Sequence, residues 1–222
     1  MNIKNTLLIL IVAALAIAAG SWFSSKQKTE KEQAIEAARA KFASLQGNIL
    51  SPPRKIAVPE LEKHDGTSFT GKDLQGHWSI LFFGFTHCSE ICPAAMSMLA
   101  QAKKMAAEQN VEFPPVFLIS VDPERDDLAA LAKFVTAFDK DFTGVTGDPE
   151  AIKALSLQLS VIYMRAQPEK SDGSEKVNAD DYQVDHSATM LLINPEGSLQ
   201  AFINAPHTPA RILQDIKVVS GK

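Results

Sequence analysis

Cysteine is nearly missing from this chain: Cys88 and Cys92 are the only two in 222 residues. That excludes a small scaffold held together by disulfides, so the core has to come from burial of Val, Ile, Leu, Phe and Ala. Positive charge is also in deficit, with 22 Lys and Arg against 26 Asp and Glu and a formal net charge of −4. A nucleic-acid binder needs a basic surface to displace counterions from phosphates, and that class is excluded. Aromatic residues are scarce, and neither an internal repeat nor a low-complexity tract occurs beyond one stretch rich in Ala, Lys and Glu. What remains is an ordinary globular composition, long enough for one sizeable core and a modest appendage.

No charge falls within residues 6–23, TLLILIVAALAIAAGSWF. As a helix rising ~1.5 Å per residue, ~18 residues cover about 27 Å, close to the hydrocarbon thickness of a bilayer. Trp22 and Phe23 stand where an interfacial aromatic is favoured, and Lys26 and Lys28 follow. The segment is therefore expected to be an uncleaved transmembrane anchor. A signal peptide with Ala16-Ile17-Ala18 as its small-residue site is the competing reading, but the run is long for one. No cysteine lies here to carry a lipid. Residues 24–46 read as a solvated helical stalk, and residues 47–53 (GNILSPP) as a break that marks the domain boundary. The expected organisation is a short tail at 1–5, an anchor at 6–23, a polar stalk and linker at 24–53, and one folded domain at 54–222. Either N-terminal reading engages export machinery. The domain is therefore placed outside the cytoplasm, in the periplasm or an equivalent space, on a single span of the inner membrane.

Beyond residue 54 strand and helix signals alternate. His64-Asp65-Gly66-Thr67 predicts a turn between two short extended pieces. Residues 78–83 (WSILFF) and 116–121 (VFLISV) are continuous apolar runs, the pattern of strands buried on both faces. A helix is expected from the cysteine segment to about Gln109, and another to about Asp139, capped by Asp126 or Asp127. Asp148-Pro149 opens a third, and residues 161–165 are strand-like before a polar loop at 167–181. Residues 188–193 and 198–203 flank the hairpin turn Asn194-Pro195-Glu196-Gly197. Thr208-Pro209 opens a last helix with Ile212, Leu213, Ile216 and Val219 on one face. The order β-α-β-α, then β-β-α, is that of a thioredoxin-like α/β domain with a central mixed sheet flanked by helices; the alternation supports the α/β class, and the narrower assignment rests on where the cysteines fall.

Cys88 and Cys92 lie in GFTHCSEICP, after the first buried strand and at the opening of a helix. Such loops carry the sites of α/β folds, and a helix N-terminus favours thiolate. A spacing of four brings both sulfurs to one side of a helical turn, near enough to chelate one ion or close a disulfide. The spacing is one residue longer than the C-x-x-C of thioredoxin-type redox enzymes. Two thiolates need a third ligand, and His186, just before the strand at 188–193, is the best of five histidines. His87 is expected to point elsewhere and to serve as an orienting donor, while His64, His77 and His207 read as surface residues. Two sulfurs and an imidazole suit Cu(I), and can hold Cu(II) if a water or carboxylate adds a fourth contact, with Zn(II) the competitor. Asp185 is a possible fourth oxygen, although a strand neighbour of His186 faces the other way. Asp122, Arg125 and Asp126 fall in the next loop on the same face, read either as partner-docking or supporting charges or as a turn and helix cap.

At these residues the chain resembles the Sco (SenC, PrrC) family of copper chaperones for cytochrome oxidase assembly. The matching blocks are residues 76–93 (GHWSILFFGFTHCSEICP), 121–126 (VDPERD), 144–148 (GVTGD) and 182–187 (YQVDHS). The resemblance implies a thioredoxin-like fold, an N-terminal anchor, and copper held by Cys88, Cys92 and His186. Its implied partners are the copper-centre subunit of the oxidase and other copper carriers or thiol reductants. The implied task is delivering copper to the binuclear centre, or reducing that centre's cysteines beforehand. The family pattern has Pro, and often Asp next, after the first cysteine; here Ser89 and Glu90 stand there. The chain thus reads as a metallochaperone, with a membrane-anchored thiol-disulfide oxidoreductase as the enzymatic alternative. A thiol peroxidase is a third reading, supported by Thr86 but lacking an Arg near the cysteines in sequence.

Overall fold

The computed structural model describes Trp22, residues 26–29, Glu32, and residues 48–166 and 182–221. The chain divides into two compact units, Met1–Leu45 and Gln46–Lys222. In the first, Trp22 and residues 26–29 are helical, and Lys26 Nζ lies 5.7 Å from the centroid of the Trp22 ring. The expected span at 6–23 lies outside the described residues apart from Trp22. Among the described residues no helix is long and apolar enough to cross a membrane.

The second unit is built on an eight-stranded mixed sheet. Its strands are β1 (Asn48–Lys55), β2 (Leu61–Lys63), β3 (Ser68–Phe69), β4 (Ser79–Gly84), β5 (Val116–Ser120), β6 (Thr143–Thr146), β9 (Met190–Ile193) and β10 (Ser198–Ile203). They run in the order β1-β10-β9-β4-β5-β6-β2-β3. The remaining two, β7 (Tyr163–Ala166) and β8 (Gln183–His186), form a separate antiparallel ribbon. β4 pairs parallel with β5, and β5 with β6, while β9 runs antiparallel beside β4. Every residue of β4, β5 and β9 is buried, as their unbroken apolar runs require.

Among its described residues this unit has four α-helices: α1 (Ile91–Glu108), α2 (Leu128–Thr136), α3 (Pro149–Gln158) and α4 (Pro209–Ser220). α1 packs along α4, and α2 lies against β6. Cys92, Ala95, Met96, Leu99, Ala102 and Ala106 form the buried stripe of α1, at helical spacing. The starts of the other three are written in the sequence. Asp127 accepts from Ala130 N at 2.7 Å, Asp148 from Ala151 N at 3.0 Å, and Thr208 from Arg211 N at 3.3 Å. Gly221, at φ 75°, closes α4 in the left-handed region. Removing the Asp148 cap (Asp148→Ala) is expected to cost about 1 kcal/mol. In a thermal melt that is a fall of roughly 2–4 °C with the fold intact.

Two expectations change. Of the segment expected as a break, residues 48–53 belong to β1, which pairs with β10 through Asn48↔Phe202 and Lys55↔Ser198. Pro52 and Pro53 are tolerated because β1 is an edge strand whose register shifts between Ile49 and Arg54. Ile49 and Leu50 pack on the core, which draws the strand in. The second change concerns residues 182–187. They do not simply lead into β9, since Gln183–His186 is a strand of its own that pairs with β7.

Candidate metal centre

Cys88 and Cys92 stand where the sequence places them, between β4 and the first turn of α1. Both are thiols not joined by a disulfide. Cys88 is half-buried in the loop, while Cys92 is fully buried. Glu90, at the N-cap of α1, makes no side-chain cap bond; instead Cys92 N–H donates to Cys88 Sγ at 3.3 Å. Cys88 thus takes the place of the missing cap, and its sulfur sits at the positive end of the helix. Burial pushes the Cys92 thiol far above its usual range, and the adjacent Cys88 and the Asp126 charge push the same way. A backbone hydrogen bond with Phe85 opposes them without reversing the direction.

Gly84, the last residue of β4, is what leaves room for the inner sulfur. A Cβ there would lie 2.8 Å from Cys92 Sγ, 3.0 Å from Leu118 Cδ1 and 3.1 Å from Phe82 Cε1. The loop that follows is fastened by Asp126, which is wholly buried. Its carboxylate accepts from Thr86 N at 3.0 Å, Thr86 Oγ1 at 2.6 Å and Ser120 Oγ at 2.7 Å. Because the Thr86 hydroxyl donates to Asp126, its oxygen is left to accept from His87 Nδ1, 3.1 Å away. His87 is thereby held with its Nε2 turned from this network, its side chain 53% exposed. Of the two helix caps expected from sequence, Asp127 is the cap and Asp126 the anchor of the cysteine loop.

The other half of the expected site is the β7–β8 ribbon. His186 sits opposite Tyr163 in its register, and Asp185 opposite Met164. Within β8, Val184 is buried and Asp185 exposed. The chain just before β8 is held by a cluster that sequence reasoning does not assemble. Arg125 Nε donates to Asp122, the Tyr182 hydroxyl donates to the same buried carboxylate, and Arg125 Nη1 donates to Tyr182 O at 3.1 Å. The Arg125 guanidinium carbon lies 3.7 Å from the Tyr182 ring centroid and 5.8 Å from that of Phe85. Beyond β8, His207 Nε2 lies 2.7 Å from Ala188 O, and the Thr189 hydroxyl donates to Asn204 at 3.3 Å.

The remaining histidines are more structural than their sequence context indicates. His64 Nδ1 accepts from Gly144 N at 2.9 Å, and His77 Nδ1 lies 3.0 Å from the hydroxyl of buried Ser79. His207 is half-buried rather than a surface loop residue. Among the described side chains no three His, Cys, Asp or Glu groups converge on a metal-sized site. That of His186 lies outside them. The thiol pair, one sulfur buried and one half-buried, is nevertheless a donor set for a soft cation.

The comparisons agree with this architecture. The family model described as SCO1/SenC matches residues 54–220. The chain belongs to the SCO1/SenC family. It is 36% identical to Protein SCO1 homolog 1, mitochondrial, of Arabidopsis thaliana over 87% of its own length, and spans 55% of that relative. Among solved structures, Arabidopsis thaliana ScoI with copper bound is 35% identical, with a TM-score of 0.64 over 73% of this chain and 96% of that one. Yeast Sco1 with copper bound is 27% identical, with a TM-score of 0.61 over 71% of this chain and 83% of that one. The thioredoxin-like fold expected from the element order and the place of the cysteines is therefore the fold of this family member.

Proposed function

We propose that this chain is a copper carrier that holds its metal through Cys88, Cys92 and His186 and supplies it to the binuclear copper centre of a respiratory cytochrome oxidase. The observation that carries this reading is the split thiol pair at the start of α1, in a family with members solved with copper bound. Copper is the cargo. Each thiol gives up its proton as it takes the metal, so uptake releases protons and strengthens as pH rises. Charge on copper also offsets the burial that keeps the Cys92 thiol protonated in its absence. Cys88, the less buried sulfur, is the ligand an acceptor reaches first, and Cys92 the one it reaches last. Residues 6–23 act as the anchor, holding the domain on the outer face of the inner membrane, where copper carriers and thiol reductants supply it.

A second reading has its own support. A half-exposed Cys88 at a helix N-terminus beside a buried Cys92 also suits thiol-disulfide exchange. Cys88 as thiolate attacks a partner disulfide and releases one partner thiol. Cys92 then loses its proton and displaces the second, leaving a Cys88–Cys92 disulfide and a reduced partner. Against this, residues 186–188 (HSA) occupy the stretch where redox enzymes of this fold carry a proline. A peroxidase is disfavoured further. The Thr86 hydroxyl donates to Asp126, and Arg125, although it approaches the cysteine loop in space, donates to Asp122 and Tyr182 O.

The test uses the reduced full chain in detergent, titrated with Cu(I) against a chromophoric chelator, then mixed with the apo copper-centre subunit of an oxidase. One copper per chain and its movement to the subunit are expected. His186→Ala is expected to weaken binding by at least the roughly 10- to 100-fold that loss of a mere orienting partner costs. A His186→Ala chain that holds copper like the parent ends the three-ligand reading. Reduction of the subunit's cysteines by copper-free protein, undiminished in His186→Ala, selects the oxidoreductase instead.

A further inference from the structure

β8, the strand that ends at His186, has no ladder to the eight-stranded sheet among the described residues; its pairing partner is β7 alone. An isolated two-stranded ribbon is marginal in water, so its ladder does not fix where position 186 stands relative to the cysteines. That placement needs a tie between the ribbon and the cysteine loop. The loop between β5 and α2 supplies it. Asp126 fastens the cysteine side through Thr86, and the preceding residue, Arg125, touches both sides.

Arg125 is 14% exposed, and its backbone is held in a turn by Arg125 N donating to Asp122 O at 3.1 Å. Its guanidinium lies against Tyr182, the residue immediately before β8, by ring contact and by the 3.1 Å bond to Tyr182 O. It also reaches Phe85, whose carbonyl accepts from Cys88 N at 3.4 Å and which therefore belongs to the cysteine turn. Asp122, buried, receives both Arg125 Nε and the Tyr182 hydroxyl and so fixes the angle between them. A planar cation with several donors in fixed directions does this; a lysine has neither the plane nor the fork.

We infer that Arg125, set by Asp122, is the positioning residue that brings His186 to the cysteine pair. This rests on the proposed ligand set, and it assigns to VDPERD a role in the metal site rather than in docking. Arg125 touches no metal and works through the histidine strand.

A double-mutant cycle on Cu(I) affinity in the reduced full chain tests it. Arg125→Lys and Tyr182→Phe accompany Arg125→Ala, in case the alanine variant does not fold. In the parent background Arg125→Ala and Arg125→Lys are expected to weaken binding roughly 10- to 100-fold, and Tyr182→Phe by less. In a His186→Ala background the same changes should shift affinity less than about twofold, because the residue they act through is gone. The Cys88–Cys92 disulfide potential should not move in any of them. Equal losses with and without His186, or an Arg125→Lys chain that binds like the parent, overturn the inference and leave the ligand set standing. If His186→Ala alone costs no affinity, the ligand set itself falls, and the positioning role falls with it.

Discussion

Replacing Asp126 by alanine is expected to cost the domain about 3 to 5 kcal/mol, because one change takes the acceptor from several donors and leaves a hole. Ser120 is wholly buried, so its hydroxyl proton loses its acceptor. The Thr86 hydroxyl and amide lose their partner together, and with them the support of His87. Urea unfolding followed by circular dichroism measures the loss. Asp126→Asn separates charge from shape. The amide keeps one oxygen, either for the Thr86 hydroxyl, now on Oδ1, or for the Thr86 amide and Ser120, now on Oδ2, so a smaller loss is expected. It also removes a negative charge that helps hold the Cys92 thiol up. The sign follows: with that charge gone the thiolate is less disfavoured, and the Cys92 pKa moves down from its raised value. Thiol alkylation followed against pH in the copper-free, reduced Cys88→Ser chain reads this directly. Alkylation that shifts to higher pH in Asp126→Asn would contradict the electrostatic assignment.

Much of the frame is legible in the amino-acid order alone, for a local reason. WSILFF and VFLISV are apolar on both faces, and their neighbours are turn formers and caps that act within four residues of themselves. β1 is not legible, because its ladder partner β10 lies some 150 residues away and its own sequence contains Ser-Pro-Pro. β8 is hidden for a related reason. Its partner β7 lies across residues 167–181, and YQVDHS reads equally well as the approach to β9. The cysteines announce themselves by spacing and by the strand-helix junction, whereas the groups that hold them do not. Asp126 meets Thr86 across 40 residues, and Arg125 meets Tyr182 O across 57. A turn-like DPERD can be seen as charged and capping, but not as joined to both halves of a site. A hint lies in Tyr182 opening the same block as His186, since a buried Tyr hydroxyl usually finds a hydrogen-bond partner.

Gly84→Ala is expected to separate the copper site from the stability of the fold. Gly84 has no positive φ that would demand glycine, so the obstacle is space alone. The new methyl would stand 2.8 Å from Cys92 Sγ, a contact that cannot persist. Leu118 and Phe82, at 3.0 and 3.1 Å, close the other directions, and both belong to fully buried strands. Cys92 has a single side-chain rotor and sits in the first turn of α1, so its sulfur turns away or the helix start moves. Overpacking of this kind costs about 1–3 kcal/mol, a fall of several degrees in melting temperature. Gly144→Ala is the matched control, since its Cβ would meet Leu131 Cβ at 3.0 Å in the same core but against α2 rather than at the cysteines. Both variants should melt lower. Only Gly84→Ala should lose Cu(I) affinity, by at least about tenfold, or 1.4 kcal/mol, because only there is a thiol displaced. Copper affinity that falls equally in both would mean that the site merely follows overall stability, and that the close fit of Gly84 to Cys92 has no part in holding the metal.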